Sequence, residues 1–136
     1  MDQPPEIPDG FARHVRKSAV TDPWEPLWAR RTEDAVQLGL RIAEPHCNAR
    51  GFLHGGVIAS LADNAMGMSV VVAAGAQSAL TVSLHIDYVQ AAALGAWLQF
   101  EPRVIRAEGK LGFADALVTA DGRTIARASA TFRLVA

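Results

Sequence analysis

From residue 51 to residue 84 the chain carries a single formally charged side chain, Asp63, which stands inside an apolar stretch running from 57 to 76. A helix apolar on nearly every side has to be enclosed, by a protein core or by a bilayer. An Asp inside a span costs about 2.5–3.5 kcal/mol on insertion scales, and the uninterrupted part, 65–76, is shorter than the roughly 20 residues a span needs. The stretch therefore reads as a buried core helix from about residue 56 to residue 74, and the rest of the chain has to wrap it.

The wrapping is written as strands. Residues 81–89 alternate strictly, with Val82, Leu84, Ile86 and Tyr88 on one face and Thr81, Ser83, His85 and Asp87 on the other. Three more strands are predicted near 96–107, 111–120 and 123–135. The last two are joined by Asp121-Gly122, a pair suited to a hairpin whose two central positions need positive φ. Residues 35–42 alternate roughly and give a first strand that ends before Pro45. Strand, long helix, four strands is an α+β pattern in which one curled antiparallel sheet wraps one central helix.

With 136 residues, half of them hydrophobic, the chain has material for one such domain. It is assigned to residues 29–136. Residues 1–28, interrupted by Pro4, Pro5, Pro8, Pro23 and Pro26, read as an arm with at most a short helix over 11–18. Trp24, Leu27 and Trp28 give that arm apolar material to lay against the body or a partner subunit. Five strands under-cover a helix this apolar and leave sheet edges open, so a homodimer or homotetramer is expected.

Thirteen Lys and Arg against fourteen Asp and Glu leave a net charge of −1 and no bulk field for a polyanion, so neither nucleic acid nor a membrane is an expected partner. One cysteine, Cys47, excludes an intramolecular disulfide framework and reads as a small structural residue near a strand end. The opening residues lack the basic and apolar regions of a secretory signal, and a cytoplasmic location is expected. His46, Cys47 and His54 fit no usual zinc spacing, so no metal is assigned.

Gly55 and Gly56 stand where the core helix begins, so their unpaired N–H groups and the positive end of the helix dipole can face a ligand closely. Singly, each nearby residue is ambiguous: a glycine pair also permits a tight turn, and Asn48 also caps or turns a loop. Asp63 shares its helix face with Gly56, Ala59, Ser60, Met66, Gly67 and Val70, none of them basic. It is either the helix's one solvent-facing position or a sheltered functional carboxylate, and the loop upstream favours the second.

The whole set, Asn48-x-x-Gly51-x-x-His54-Gly55-Gly56-x-x-x-x-Leu61-x-Asp63, resembles the signature of hotdog-fold acyl-CoA thioesterases of the phenylacetate-degradation (PaaI-like) type, over roughly residues 36–134. The resemblance implies that Asp63 is the catalytic carboxylate, acting as general base on water or as nucleophile. It implies that the Gly55 amide binds the thioester oxygen, with His54 and Asn48 orienting the carbonyl and the water, and that Thr81 places a hydroxyl near the carboxylate. It further implies a site shared between the two subunits of a dimer. Coenzyme A is then part of the substrate and no separate cofactor is needed. Gly56 would approach that substrate closely, and Arg106 and Lys110, which flank the Glu108-Gly109 turn, would contact its phosphates, with Arg50 a further candidate. Met66, Met68, Leu84 and Trp97 are the candidates for an apolar acyl slot.

The chemistry agrees, because hydrolysing a thioester needs an activated oxygen nucleophile and donors aimed at developing negative charge. The alternative from another class is a non-catalytic acyl-CoA-binding or regulatory module of the same fold, against which the presence of Asp63 argues. A hydratase is disfavoured by the Asp and His spacing.

Overall fold

The computed structural model describes residues 6–136; Pro4 and Pro5 of the expected arm lie outside them. In chain order the elements are β1 (Ala12–Arg13), β2 (Trp28–Arg31), β3 (Val36–Arg41), the helix α1 (Gly55–Ala74), β4 (Ser78–Tyr88), β5 (Trp97–Glu108), β6 (Leu111–Ala120) and β7 (Arg123–Val135). Single 3-10 turns at Asp22–Trp24 and Glu44–His46 complete them. The strands form one curled sheet in the order β1-β2-β3-β5-β6-β7-β4, antiparallel throughout, with α1 lying against β3 to β7.

The helix ends where the sequence places its stop. Gly75 is left-handed at φ 65°, and its N–H returns to the carbonyls of Val71 and Val72. The hairpin between β6 and β7 turns on Asp121 and Gly122, both at positive φ (47° and 82°). Alanines line the inner face of the sheet, among them Ala114, Ala116, Ala128 and Ala130, so the helix can approach closely. Leu61, Met66 and Val70 of α1 are fully buried, as are Phe100 and Val118 of the sheet. Ser69, also fully buried, is satisfied twice over. Its hydroxyl donates to the Ala65 carbonyl at 2.7 Å and accepts the Val36 N–H at 3.0 Å, tying the helix to the start of β3.

Two expectations need correction. The sheet has seven strands, not five, because the arm supplies β1 and β2: Ala12 pairs with Ala29 and Arg13 with Trp28, so 11–18 is not helical. Ala29 in turn pairs with Leu38, and the boundary at 28/29 falls inside a strand of the sheet. The second concerns β4, whose alternation is broken by a bulge between Thr81 and Ser83. Thr81 stands opposite Phe132, Leu84 opposite Ala130 and Ile86 opposite Ala128, all inward residues of β7, so these three face the helix. The extra residue, Val82, moves Thr81 from the outer face, where strict alternation puts it, to the inner one.

β4 is an edge strand of 11 residues with no strand on its far side among the described residues, and Leu80, Val82, Leu84 and Tyr88 are exposed along it. An edge this long and apolar is an unpaired ladder.

Candidate active site

The loop ahead of α1 is shaped by Asn48. Its Oδ1 accepts the N–H groups of Arg50 (2.9 Å) and Phe52 (3.2 Å), and its own N–H donates to the Phe52 carbonyl at 2.8 Å. Gly51, at φ 83°, closes the turn. Beneath the loop His46 is buried, and its Nδ1 accepts the Ala43 N–H at 2.9 Å. The ring proton therefore sits on Nε2, which donates to the Trp24 carbonyl at 2.8 Å and staples the arm to the loop. Burial, reinforced by the Glu44 carboxylate, pushes the neighbouring Cys47 thiol above its ordinary range, which suits a structural rather than a reactive cysteine.

At the helix start the four first-turn amides have different fates. Gly56 donates to His54 Nδ1 at 2.8 Å, while Val57 and Ile58 donate to the His54 carbonyl at 3.0 and 3.4 Å. The N–H of Gly55 has no partner among the described residues. Gly56, expected to face a ligand, thus spends its amide on the cap, and the free donor is Gly55 alone. With Nδ1 accepting, His54 carries its proton on Nε2, a second donor on the same exposed loop. Tyr88, at the end of β4, donates its hydroxyl to the Gly55 carbonyl at 2.8 Å. Together with Leu53, Ile58 and Val89 it lines a cavity of about 410 Å³ against Gly55.

Asp63 occupies a different place. It is half-buried on α1, accepts the Thr81 hydroxyl at 2.6 Å, and forms no ion pair among the described residues. One carboxylate oxygen is thereby held still and the other is left for a ligand. The surrounding cavity, about 220 Å³, has Gly67, Met68, Val71 and Phe132 as its apolar lining. Thr81 reaches the carboxylate only because of the Val82 bulge. Asp63 stands eight positions after Gly55, about 12 Å along the helix at 1.5 Å per residue. The two groups of one chain are too far apart to act on one carbonyl.

The other expected residues are scattered. Arg106 is paired with Glu108 at 2.6 Å, and Lys110 is exposed beside it across the Gly109 turn; neither lines the cavity at Asp63 or that at Gly55. Arg50 is exposed in the loop. Of the four acyl-slot candidates only Met68 lines the Asp63 cavity. Met66 is fully buried core, Leu84 lies on the open edge, and Trp97 packs edge-to-face on Phe11 with centroids 5.3 Å apart. The Trp97 ring also covers Gly39, leaving no room there for a Cβ. Sequence reasoning missed the arm residues His14, Arg16, Ser18 and Thr21, which form one wall of the Asp63 cavity. No apolar periodicity or motif marks 9–22, the proline-free stretch that carries them. Among the described residues no three His, Cys, Asp or Glu side chains converge as metal ligands.

A long helix wrapped by a curled antiparallel sheet, with a carboxylate midway along the helix and a free amide at its start, is the hotdog fold. The pattern of the thioesterase superfamily matches residues 50–126, more than half of the chain, and the protein belongs to that superfamily. It is 33% identical over 130 residues to a Pseudomonas aeruginosa protein named "Putative esterase PA0474", covering 94% of this chain and 97% of that one. It is 31% identical over 97 residues to human acyl-coenzyme A thioesterase 13, covering 70% and 69%. Among solved structures, a hypothetical thioesterase of Streptococcus pneumoniae with coenzyme A superposes with a TM-score of 0.75 at 22% identity, covering 82% of this chain and 90% of that one. A mutant of the phenylacetic acid degradation protein PaaI of Thermus thermophilus gives 0.72 at 18% identity, covering 81% and 93%. At those identities the last two speak for the fold.

Proposed function

We propose that the protein is an acyl-CoA thioesterase that works as a dimer, each site combining Asp63 and Thr81 of one subunit with Gly55 and His54 of its partner. The observation that carries this reading is the placement of the two half-sites at opposite ends of the open strand β4. Thr81 meets Asp63 near its start, and Tyr88 meets Gly55 at its end. Pairing two copies of β4 antiparallel, with the two-fold axis at His85 and the bulged Val82 outside the ladder, sets Thr81 of one subunit beside the partner's Tyr88, both on the inner face. The half-sites that lie too far apart in one chain then face each other, and the apolar edge is covered.

The chemistry follows from the two halves. Asp63 takes the proton of a water that attacks the thioester carbonyl, or itself attacks to give an anhydride that water then opens. The negative charge that develops on the carbonyl oxygen is met by the partner's Gly55 amide, at the positive end of its helix, with the partner's His54 Nε2–H beside it. The C–S bond breaks, the coenzyme A thiolate leaves and the acid is released. The residues named supply the base and the donors, so no metal or added cofactor is required, and the phosphate contacts of Arg106 and Lys110 belong to this reading as well.

The test is hydrolysis of a panel of short, medium, long and aromatic acyl-CoA thioesters with thiol detection, run in EDTA. Release of thiol from at least one is expected. Silence across the panel, with binding retained, favours the acyl-CoA-binding module instead.

A further inference from the structure

The cavity at Asp63 has a wall that no part of the hydrolytic scheme uses. His14, Arg16, Ser18 and Thr21, all from the segment ahead of β2, line it opposite Gly67, Met68 and Val71 of the helix. This segment is held in place at several points. Arg13 pairs with Trp28 in the sheet, and the His14 N–H donates to the Leu27 carbonyl at 2.9 Å. Thr21, 2% exposed, closes a turn with Ser18 through hydroxyls 2.9 Å apart, and His46 holds the carbonyl of Trp24.

Among the residues lining this cavity Asp63 is the only formal anion and Arg16 the only formal cation. They do not pair: no carboxylate among the described residues lies within 4.0 Å of the Arg16 guanidinium, and it makes no hydrogen bond there. Of the ten other arginines, those at 13, 41, 103, 106 and 127 have a carboxylate partner and those at 30, 31, 50, 123 and 133 have none among the described residues, so what sets the exposed Arg16 apart is its place on the wall of the Asp63 cavity. His14, half-buried beside Arg16, is held below the usual imidazole range by burial, and so contributes a neutral ring rather than a second charge.

We propose that Arg16 is a substrate-binding residue, and that it receives an anionic group of the thioester whose carbonyl sits at Asp63. This rests on the reading of Asp63 as the reacting carboxylate. A guanidinium offers a planar fork of donors matched to a carboxylate or a phosphate. Two groups of the substrate have that chemistry: a carboxylate at the far end of the acyl chain, and a phosphate of coenzyme A. Keeping Arg16 out of contact with Asp63 leaves both free, the carboxylate to take a proton and the cation to hold the substrate.

The experiment compares wild type, Arg16→Met and Arg16→Lys on hexanoyl and adipoyl thioesters of coenzyme A, of 3′-dephospho-coenzyme A and of pantetheine. Non-hydrolysable thioether analogues of the same set are measured by calorimetry. Arg16→Met is expected to raise KM and Kd at least about tenfold for compounds bearing the recognised anion, and to change those lacking it by less than about twofold. Arg16→Lys, which keeps the charge, should recover part of the loss. A loss confined to adipoyl compounds identifies the acyl carboxylate; a loss confined to the phosphorylated carriers identifies coenzyme A. Equal losses on every compound, uncharged hexanoyl-pantetheine included, or no loss on any, would overturn the proposal. Wild type that turns over nothing while Arg16 still discriminates among the thioethers would sink the hydrolytic reading and leave the anion contact standing.

Discussion

Gly55 is the residue at which backbone geometry and chemistry can be separated. It is the first residue of α1, preceded by His54 at φ −72° and ψ 132°, a conformation that suits the residue before a proline. Proline is well tolerated at a first helical position and lacks the N–H. Gly55→Pro should therefore fold, with the Tyr88 ring giving way by a few tenths of an ångström, since a Cβ there would lie 3.2 Å from it. Turnover should drop by about 10²- to 10³-fold, the usual cost of losing one oxyanion donor. Circular dichroism alongside initial rates checks both halves of that statement. Asp63→Asn, nearly isosteric, should likewise keep the fold and lose at least about 10²-fold in kcat, because an amide can neither take the proton nor attack. Thr81→Val removes the 2.6 Å hydrogen bond without changing shape, and about a tenfold loss is expected. A wild-type rate for Asp63→Asn would remove the carboxylate from the mechanism.

At the scale of elements, the arm is where acidity should be felt. Burial lowers the His14 pKa, Arg16 adds to that, and Glu25 opposes it. The docked arm thus prefers the neutral ring, whereas a released arm binds a proton with the ordinary affinity. Docking is then at full strength above the free value of about 6.5 and weakens as pH falls below it. Hydrogen exchange over 12–31, expressed relative to the intrinsic rate at each pH, should rise from about pH 7.5 to about pH 5.5, and His14→Leu should flatten that rise; an identical profile in the variant would contradict it. The same elements show what the sequence could and could not reveal. α1, β5, β6 and β7 were legible because apolar periodicity and the Asp-Gly and Gly75 turns are local signals. β1 and β2 were not, because two- and four-residue strands owe their existence to a neighbouring edge rather than to their own pattern. The bulge at Val82 was invisible for a related reason: T-V-S-L alternates perfectly, and only the register against β7 reveals the extra residue. Asn48, His54, Gly55 and Asp63 were singled out by the resemblance that their motif carries, and their roles belong to the proposed function. The roles of His46 and of the arm wall depend on contacts between segments more than 20 residues apart and left no local trace.

The whole molecule has an open 11-residue edge strand with Leu80, Val82, Leu84 and Tyr88 exposed along it and, in the proposed scheme, two half-sites that do not meet within one chain. Leu84 lies next to the two-fold axis that would join them, so Leu84→Glu should bring like charges together there. A monomer by light scattering, with activity lost, is the expected result; an active monomer would show that one chain suffices. The sharpest measurement mixes two inactive variants, Asp63→Asn and Gly55→Pro, after dissociation and reassembly. If each site takes its carboxylate from one subunit and its amide from the other, every mixed dimer regains one intact site. With half of the dimers mixed, the mixture should show about a quarter of wild-type activity. If carboxylate and amide instead act within one chain, no combination contains an intact pair, and a mixture no more active than its components would contradict the account.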